Sequence, residues 1–174
     1  MVNGEQPKHL NGSSRSAERC AMIGLYPQTN PARQSTDLSG LWRFRFNPDD
    51  TGRDQRWQHG FSDDQPIAVP GSWNDQFAEA RDTLAVGWYQ TRFNQPFAPP
   101  GQRWFLRFNA VNYLTDVWLN GQHLGSHEGG HLPFVFEITA LLHPEDNLLV
   151  VRVDGALAPD RVPPGNTSGM SMWT

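Results

Sequence analysis

Hydrophobic and polar positions begin to alternate at about Leu38, and from there the period is two. Leu41, Arg43 and Phe44 sit in a short strand-like run, and Pro66–Val69 forms another that stops at Pro70-Gly71, a turn signal. Gly87–Phe93 alternates aromatic and polar residues. Trp104, Leu106 and Phe108 alternate with Phe105 and Arg107, and Phe134, Phe136 and Ile138 repeat that spacing. Each pattern predicts a strand with one buried face, because side chains on a pleated strand point to its two sides in turn. Leu148–Val153 is a nearly unbroken apolar run, which predicts a central strand covered on both faces. Val117-Trp118-Leu119 runs into Asn120-Gly121. Asn-Gly between apolar strands predicts a tight hairpin, since a type I′ turn needs positive φ at both central residues. Helix is nearly absent: Asn74–Arg81 offers one or two turns, with Ser72 or Asn74 as the cap.

Strands spaced by roughly eight to fifteen residues, with Gly, Pro and Asn between them, predict an all-β sandwich or barrel. Residues 1–36 break the pattern. They are rich in Asn, Ser, Gln, Pro and Arg, and too little apolar surface is available there to offset the entropy of ordering, which predicts a disordered tail. The 174 residues are enough for one domain with a sizeable core. A net charge of −4, with the 14 basic residues dispersed, excludes the basic stripe that nucleic-acid binding needs. No run approaches the ~20 apolar residues of a membrane span. A single cysteine, Cys20, and a polar N-terminus without a signal-like apolar core lead to the expectation of a reducing, cytoplasmic setting. Asn11-Gly-Ser and Asn166-Thr-Ser match the glycosylation triplet and are read as chance matches.

The candidate binding residues are Trp73, Asn74 and Asp75, with Trp88 and Tyr89. Sugars present C–H faces that stack on aromatic rings, while Asn and Asp take hydroxyls. The competing reading puts these rings in the core. Trp42, Trp104 and Trp118 fall on strands and are expected in the core. His123, His127 and His131 recur every fourth residue, a zinc-like spacing on a helix. Glycines 121, 125, 129 and 130 make a hairpin the better reading, so no metal site is expected, and no cofactor. Gly129-Gly130 lacks the lysine and strand–loop–helix context of a phosphate loop, and is read as a site of positive φ or close backbone approach. Neither a Ser/His/Asp elbow nor Ser-x-x-Lys is present, Lys8 being the lone lysine.

The motifs LSGLWRF, DQRW, VPGSWNDQF, WYQ, VWLNGQ, H-x-GG-x-x-PF and VPPG occur in that order between Leu38 and Gly165. They resemble the N-terminal sugar-binding domain of glycoside hydrolase family 2, in its β-glucuronidase branch, over roughly Met22 to Gly165. The resemblance implies a jelly-roll β-sandwich, galactose-binding-domain-like, over residues 37–165. It also implies that residues 1–21 are an extension or a misassigned start, that the surface around Trp73–Asp75 and Trp88-Tyr89 packs against a neighbouring barrel, and that residues 166–174 form a divergent tail. His127 matches a position where similar proteins carry His beside Gly-Gly, implying a hydrogen bond that steadies the turn. Glu128 stands where they often carry Gln, which argues for a turn residue rather than an acid. Asn109, Asp116 and His131 depart from the commoner residues.

Catalysis in the family is retaining and uses two glutamates in a separate (β/α)₈ barrel, one of them between Asn and Pro. The glutamates here are Glu5, Glu18, Glu79, Glu128, Glu137 and Glu145, and none has that context. The expectation is a non-catalytic domain, a truncated product or gene fragment. Its expected partners are a glycoside, the barrel domain and a second copy in a homo-oligomer. A stand-alone carbohydrate-binding module is the alternative, and a pure interaction domain a third reading.

Overall fold

A computed structural model describes residues 29–30, 33–81 and 85–156, and the backbone of 169–173. Among the described residues ten strands form two antiparallel sheets. The larger contains β1 (Gly40–Phe46), β2 (Gln65–Val69), β4 (Val86–Phe93), β6 (Leu114–Leu119), β7 (Gln122–Glu128) and β9 (Asn147–Asp154), in the order β2-β1-β4-β9-β6-β7. The smaller contains β3 (Gly71–Ser72), β5 (Phe105–Val111), β8 (Phe134–Glu137) and β10 (Gly169–Trp173), in the order β3-β10-β5-β8. Together they make the jelly-roll β-sandwich. No helix among the described residues is long and apolar enough to cross a membrane.

The alternation in sequence becomes two faces in space. Trp42 and Phe44 of β1, Tyr89 of β4, Val117 and Leu119 of β6 and Leu149, Val151 and Val153 of β9 join Leu106, Phe108 and Val111 of β5 in one cluster between the sheets. The intervening residues Trp88, Trp118, Leu148 and Val150 point the other way. With Trp57 and Val86 they build a second cluster on the outer face of the larger sheet. Strand β9 lies between β4 and β6 and feeds both clusters, which is why its run carries no apolar/polar alternation. Burying each such side chain contributes about 1.5–3 kcal/mol.

The hairpin forms where Asn-Gly predicts it, with φ of 53° at Asn120 and 81° at Gly121. The Asn120 amide also donates to Leu141 O and Asn147 Oδ1, at 2.9 and 3.0 Å, and its Oδ1 accepts from Leu148 N at 2.9 Å. The turn residue thus ties the β6–β7 hairpin to the start of β9.

Two expectations change. Residues 166–174 are not simply a tail, because Gly169–Trp173 pairs with both β3 and β5. Pairing with two neighbours supplies backbone hydrogen bonds that its composition does not advertise. Trp104 precedes β5 and is half-buried at the edge of the core, not inside it. Within 1–36, Asn30 and Arg33 exchange backbone hydrogen bonds of 2.8 and 3.0 Å. The remainder of that stretch up to residue 28, Cys20 and the glycosylation triplets at Asn11 and Asn166 lie outside the described residues, as does the VPPG motif.

Candidate functional site

Of the candidates Trp73, Asn74, Asp75, Trp88 and Tyr89, the structure brings Trp73 and Tyr89 into one core and sends Trp88 to another. Ser72 caps the one-turn helix α1 (Trp73–Gln76), its hydroxyl accepting from Asn74 N at 3.2 Å. That turn drives the Trp73 ring inward against Phe44 and Tyr89, with centroids 5.7 and 6.3 Å away. Asn74 is buried and donates to Ala80 O at 2.8 Å and Arg81 O at 3.2 Å, so its amide holds the loop. Trp73, Trp88 and Tyr89 each expose 0% of their surface, so no sugar reaches these rings. Of the five, only Asp75 is exposed. Tyr89 stands deep between the sheets with no hydrogen-bond partner for its hydroxyl, and burial pushes that phenol well above its ordinary value.

Trp88 lies on the opposite side of β4 and stacks on Trp118, with centroids 5.2 Å apart and planes 15° apart. Its indole N–H donates to Asn47 Oδ1 at 3.1 Å, and the same oxygen accepts from Gly52 N at 2.8 Å. This pair begins a series of anchors that fasten residues 47–64 across the outer face of the larger sheet. Arg152, buried on β9, donates to both carboxylate oxygens of Asp50 at 2.8 and 2.6 Å and lies 3.3 Å from Asp116. Asp116 also accepts from Arg53 and, at 2.6 Å, from the Ser126 hydroxyl. Further along, the Gln90 side chain clamps Phe61, accepting from its N–H at 3.1 Å and donating to its carbonyl at 2.7 Å. Gly52 is tightly enclosed within this segment. A Cβ there would lie 2.8 Å from both the Trp57 and Trp88 rings. Gly52→Ala is therefore expected to destabilise by about 1–3 kcal/mol, read as a lower denaturant midpoint.

The anchored segment and strands β1 and β4 enclose an open groove of about 950 Å³. Its floor is the polar side of β1 and β4, with Arg43, Arg45, Gln90 and Arg92, and its wall is Gln55, Trp57 and Phe61–Asp63. Arg43 faces Gln90 directly across the β1–β4 pairing. Arg43 is held by Asp64, Arg92 by Asp146 at 2.7 Å, and Arg45 donates to Ser62 O at 2.8 Å while its guanidinium lies 4.4 Å over the Trp57 ring. The sequence alone does not mark these residues as a site. The available signal was Trp42-Arg-Phe-Arg-Phe, whose alternation puts Arg43 and Arg45 on the face opposite Trp42 and Phe44.

The histidines do not converge. A bulge in the β6–β7 pairing, between Val117 and Trp118, turns His123 and His127 to opposite sides. His123 lies 3.5 Å from Asp116 on the outer face, His127 stacks on Phe134 with centroids 4.0 Å apart, and His131 is exposed. Among the described residues no three His, Cys, Asp or Glu side chains gather as metal ligands would. The expected turn-steadying hydrogen bond is not made by Nε2 of His127, which is buried without a partner. Gly129 does adopt positive φ, 125°, and a Cβ at Gly130 would lie 2.9 Å from Asn112 Oδ1. Glu128 is exposed at the end of β7.

Desolvation lowers the His127 pKa from its ordinary 6.5, because the ring loses water around its charged form. The unfolded chain then binds this proton more readily than the fold does. The stability tied to neutral His127 is complete above about pH 6.5 and is lost as pH falls toward the depressed folded value. His127→Phe is expected to flatten the stability profile between pH 7.5 and 5, measured by denaturant midpoints. On the outer side of the smaller sheet, a hydrogen bond from Arg103, 2.9 Å to one oxygen, holds the Glu137 carboxyl below its ordinary value.

Fold and site together define a two-sheet β-sandwich domain with a ligand-sized polar groove on its outer face. The family model described as "Glycosyl hydrolases family 2, sugar binding domain" matches residues 35–160, and the chain belongs to that family. It is 37% identical over 145 residues to a β-glucuronidase of Paenibacillus borealis, covering 81% of this chain and 24% of that protein. Among solved structures, a Ruminococcus gnavus β-glucuronidase superposes with a TM-score of 0.79 at 30% identity, over 85% of this chain and 29% of that one. A Bifidobacterium dentium β-glucuronidase, solved with coumarin-3-O-glucuronide, gives 0.71 at 40% identity, over 79% and 22%. The chain therefore spans about a quarter of the length of the relatives it matches.

Proposed function

We propose that this chain serves as the non-catalytic N-terminal domain of a β-glucuronidase-like glycoside hydrolase. The observation that carries the reading is the family match over 35–160, coupled with a sequence in which no glutamate stands between Asn and Pro. Its partner on this reading is a (β/α)₈ barrel that supplies the catalytic carboxylates. Apolar side chains left at the surface support such a neighbour. Phe97 is 96% exposed, and Phe105 and Val135 stand out from the smaller sheet beside a second pocket that Trp104 and Leu142 also line. The purified chain is expected to release no chromophore from a chromogenic β-glucuronide. Hydrolysis that survives Glu128→Gln would falsify the non-catalytic reading.

A stand-alone carbohydrate-binding module is the second reading, and the outer-face groove is the feature that favours it. The groove takes its shape from this chain alone, its wall held by Asn47, Gln90 and Arg152. Titration of neutral and acidic oligosaccharides separates the two readings, since a domain acting only as a support gives no saturable response.

A further inference from the structure

We infer that the groove between β1, β4 and residues 55–63 is a binding site for an acidic oligosaccharide, with Arg45 and Arg92 as the carboxylate-recognising residues. The inference rests on the sugar-binding reading above and adds a location and a ligand class to it.

The first argument is the imbalance of donors and acceptors. Three arginines line the groove and each guanidinium carries five N–H donors. Arg43 is committed to Asp64, whose carboxylate is itself buried, with its Nε donating at 2.5 Å. Arg92 uses Nη1 on Asp146, a pair in which both side chains are largely exposed, so the bond is worth little and is readily exchanged. Arg45 uses Nη1 on the Ser62 carbonyl, and its nearest carboxylate, Asp63, is 3.6 Å away and 84% exposed. Arg45 and Arg92 thus present donors toward the groove that no strong internal partner holds. A planar fork of this kind favours a carboxylate, which it binds through two parallel bonds.

The second argument is charge. Asp63, Asp64 and Asp146 stand beside the three arginines and match them in number. A densely charged polyanion such as a nucleic acid or polyphosphate meets these carboxylates as repulsion. A uronic acid chain carries one carboxylate per ring among many hydroxyls. Its hydroxyls find acceptors and donors in Asp63, Gln55 and the Ser62 hydroxyl, all on the groove wall. The site therefore offers both kinds of group that such a ligand needs.

The third argument is shape and rigidity. The groove volume of about 950 Å³ lies at the upper end of the ~300–1,000 Å³ range for small-molecule sites, more than one sugar ring fills. Arg43 and Arg45 are rooted two residues apart on β1, about 7 Å along the strand, and Arg92 is the same step beyond Gln90 on β4. The wall is held before any ligand arrives, by Gln90 on Phe61 and by Asn47 on Gly52. A site formed in advance spends less of its interaction energy on ordering.

Arg45 supplies the readout. Its guanidinium stacks on Trp57, so a ligand that draws Arg45 into the groove changes that indole's emission. The experiment titrates the purified chain with tetragalacturonate, using cellotetraose as the neutral control, by tryptophan fluorescence and calorimetry at low and high salt. The expected result is saturable binding of the acidic sugar that weakens with salt. No comparable response to the neutral sugar is expected, and Arg45→Gln and Arg92→Gln should each lose at least tenfold in affinity with unchanged thermal midpoints. Acidic-sugar binding that both variants leave intact overturns the groove assignment while the sugar-binding reading survives. Equal binding of the neutral sugar overturns the acidic preference alone. No binding of either sugar to the folded chain overturns the site, whereas the non-catalytic reading is decided separately by the chromogenic assay.

Discussion

Arg152→Leu is expected to cost the domain about 3–5 kcal/mol, seen as a large fall in the denaturant midpoint. The reason is the carboxylate it leaves behind. Asp116 exposes 4% of its surface and Arg152 an equal 4%, and the two sit side by side on β6 and β9 in the interior of the larger sheet. Removing the guanidinium strips Asp116 of one cation, leaving Arg53, which is half-exposed, and the Ser126 hydroxyl. It also frees Asp50, whose two bonds to Arg152 help fasten residues 47–64 to the outer face. The domain as a whole is held by about 5–15 kcal/mol, so this single change takes a large share. The double variant Arg152→Leu/Asp116→Leu is expected to recover much of the loss, because no buried charge is left without its partner. A double variant no more stable than the single one would place the cost in lost anchoring of Asp50 instead.

Trp73→Ala is expected to be about as damaging, at about 3–5 kcal/mol, and to leave carbohydrate affinity untouched. Trp73 is fully buried and meets Phe44, Phe46 and Tyr89 in a cluster of rings, with Phe77 stacked on Phe44. Truncation opens a cavity among rings that cannot all close over it. The same substitution discriminates between the two roles weighed for this residue. A sugar platform loses affinity with little loss of stability, and a core residue does the reverse. Thermal and denaturant melts beside the oligosaccharide titration read both quantities on one sample.

Much of the fold was legible in the chain. The alternations at Gly87–Phe93 and Trp104–Phe108 became β4 and β5, the unbroken run at Leu148–Val153 became the doubly covered β9, and Asn120-Gly121 became the hairpin. These signals are local, because pleat geometry converts a period of two directly into faces. The candidate site was less legible. Trp88 and Tyr89 are neighbours in sequence and both read as sugar-facing, yet adjacent residues on a strand point to opposite sides. Each found a separate core, one between the sheets and one beneath residues 47–64. An aromatic residue announces that a face is buried without announcing what buries it.

The sequence by itself determined the strand pattern, the tight hairpin, the near absence of helix and the motif order that carries the family. Each depends on chain geometry within a few residues or on an ordered set of short motifs. Only the tertiary structure decided that Gly169–Trp173 enters the smaller sheet, that a bulge sends His123 and His127 to opposite sides, and that residues 47–64 cover the outer face. Only it brought Arg43, Arg45 and Arg92 to one groove. Those outcomes rest on partners far apart in sequence, such as Asp50 with Arg152 and Phe61 with Gln90. Such pairings are selected by the packing of whole sheets, and no local window of the chain contains both members.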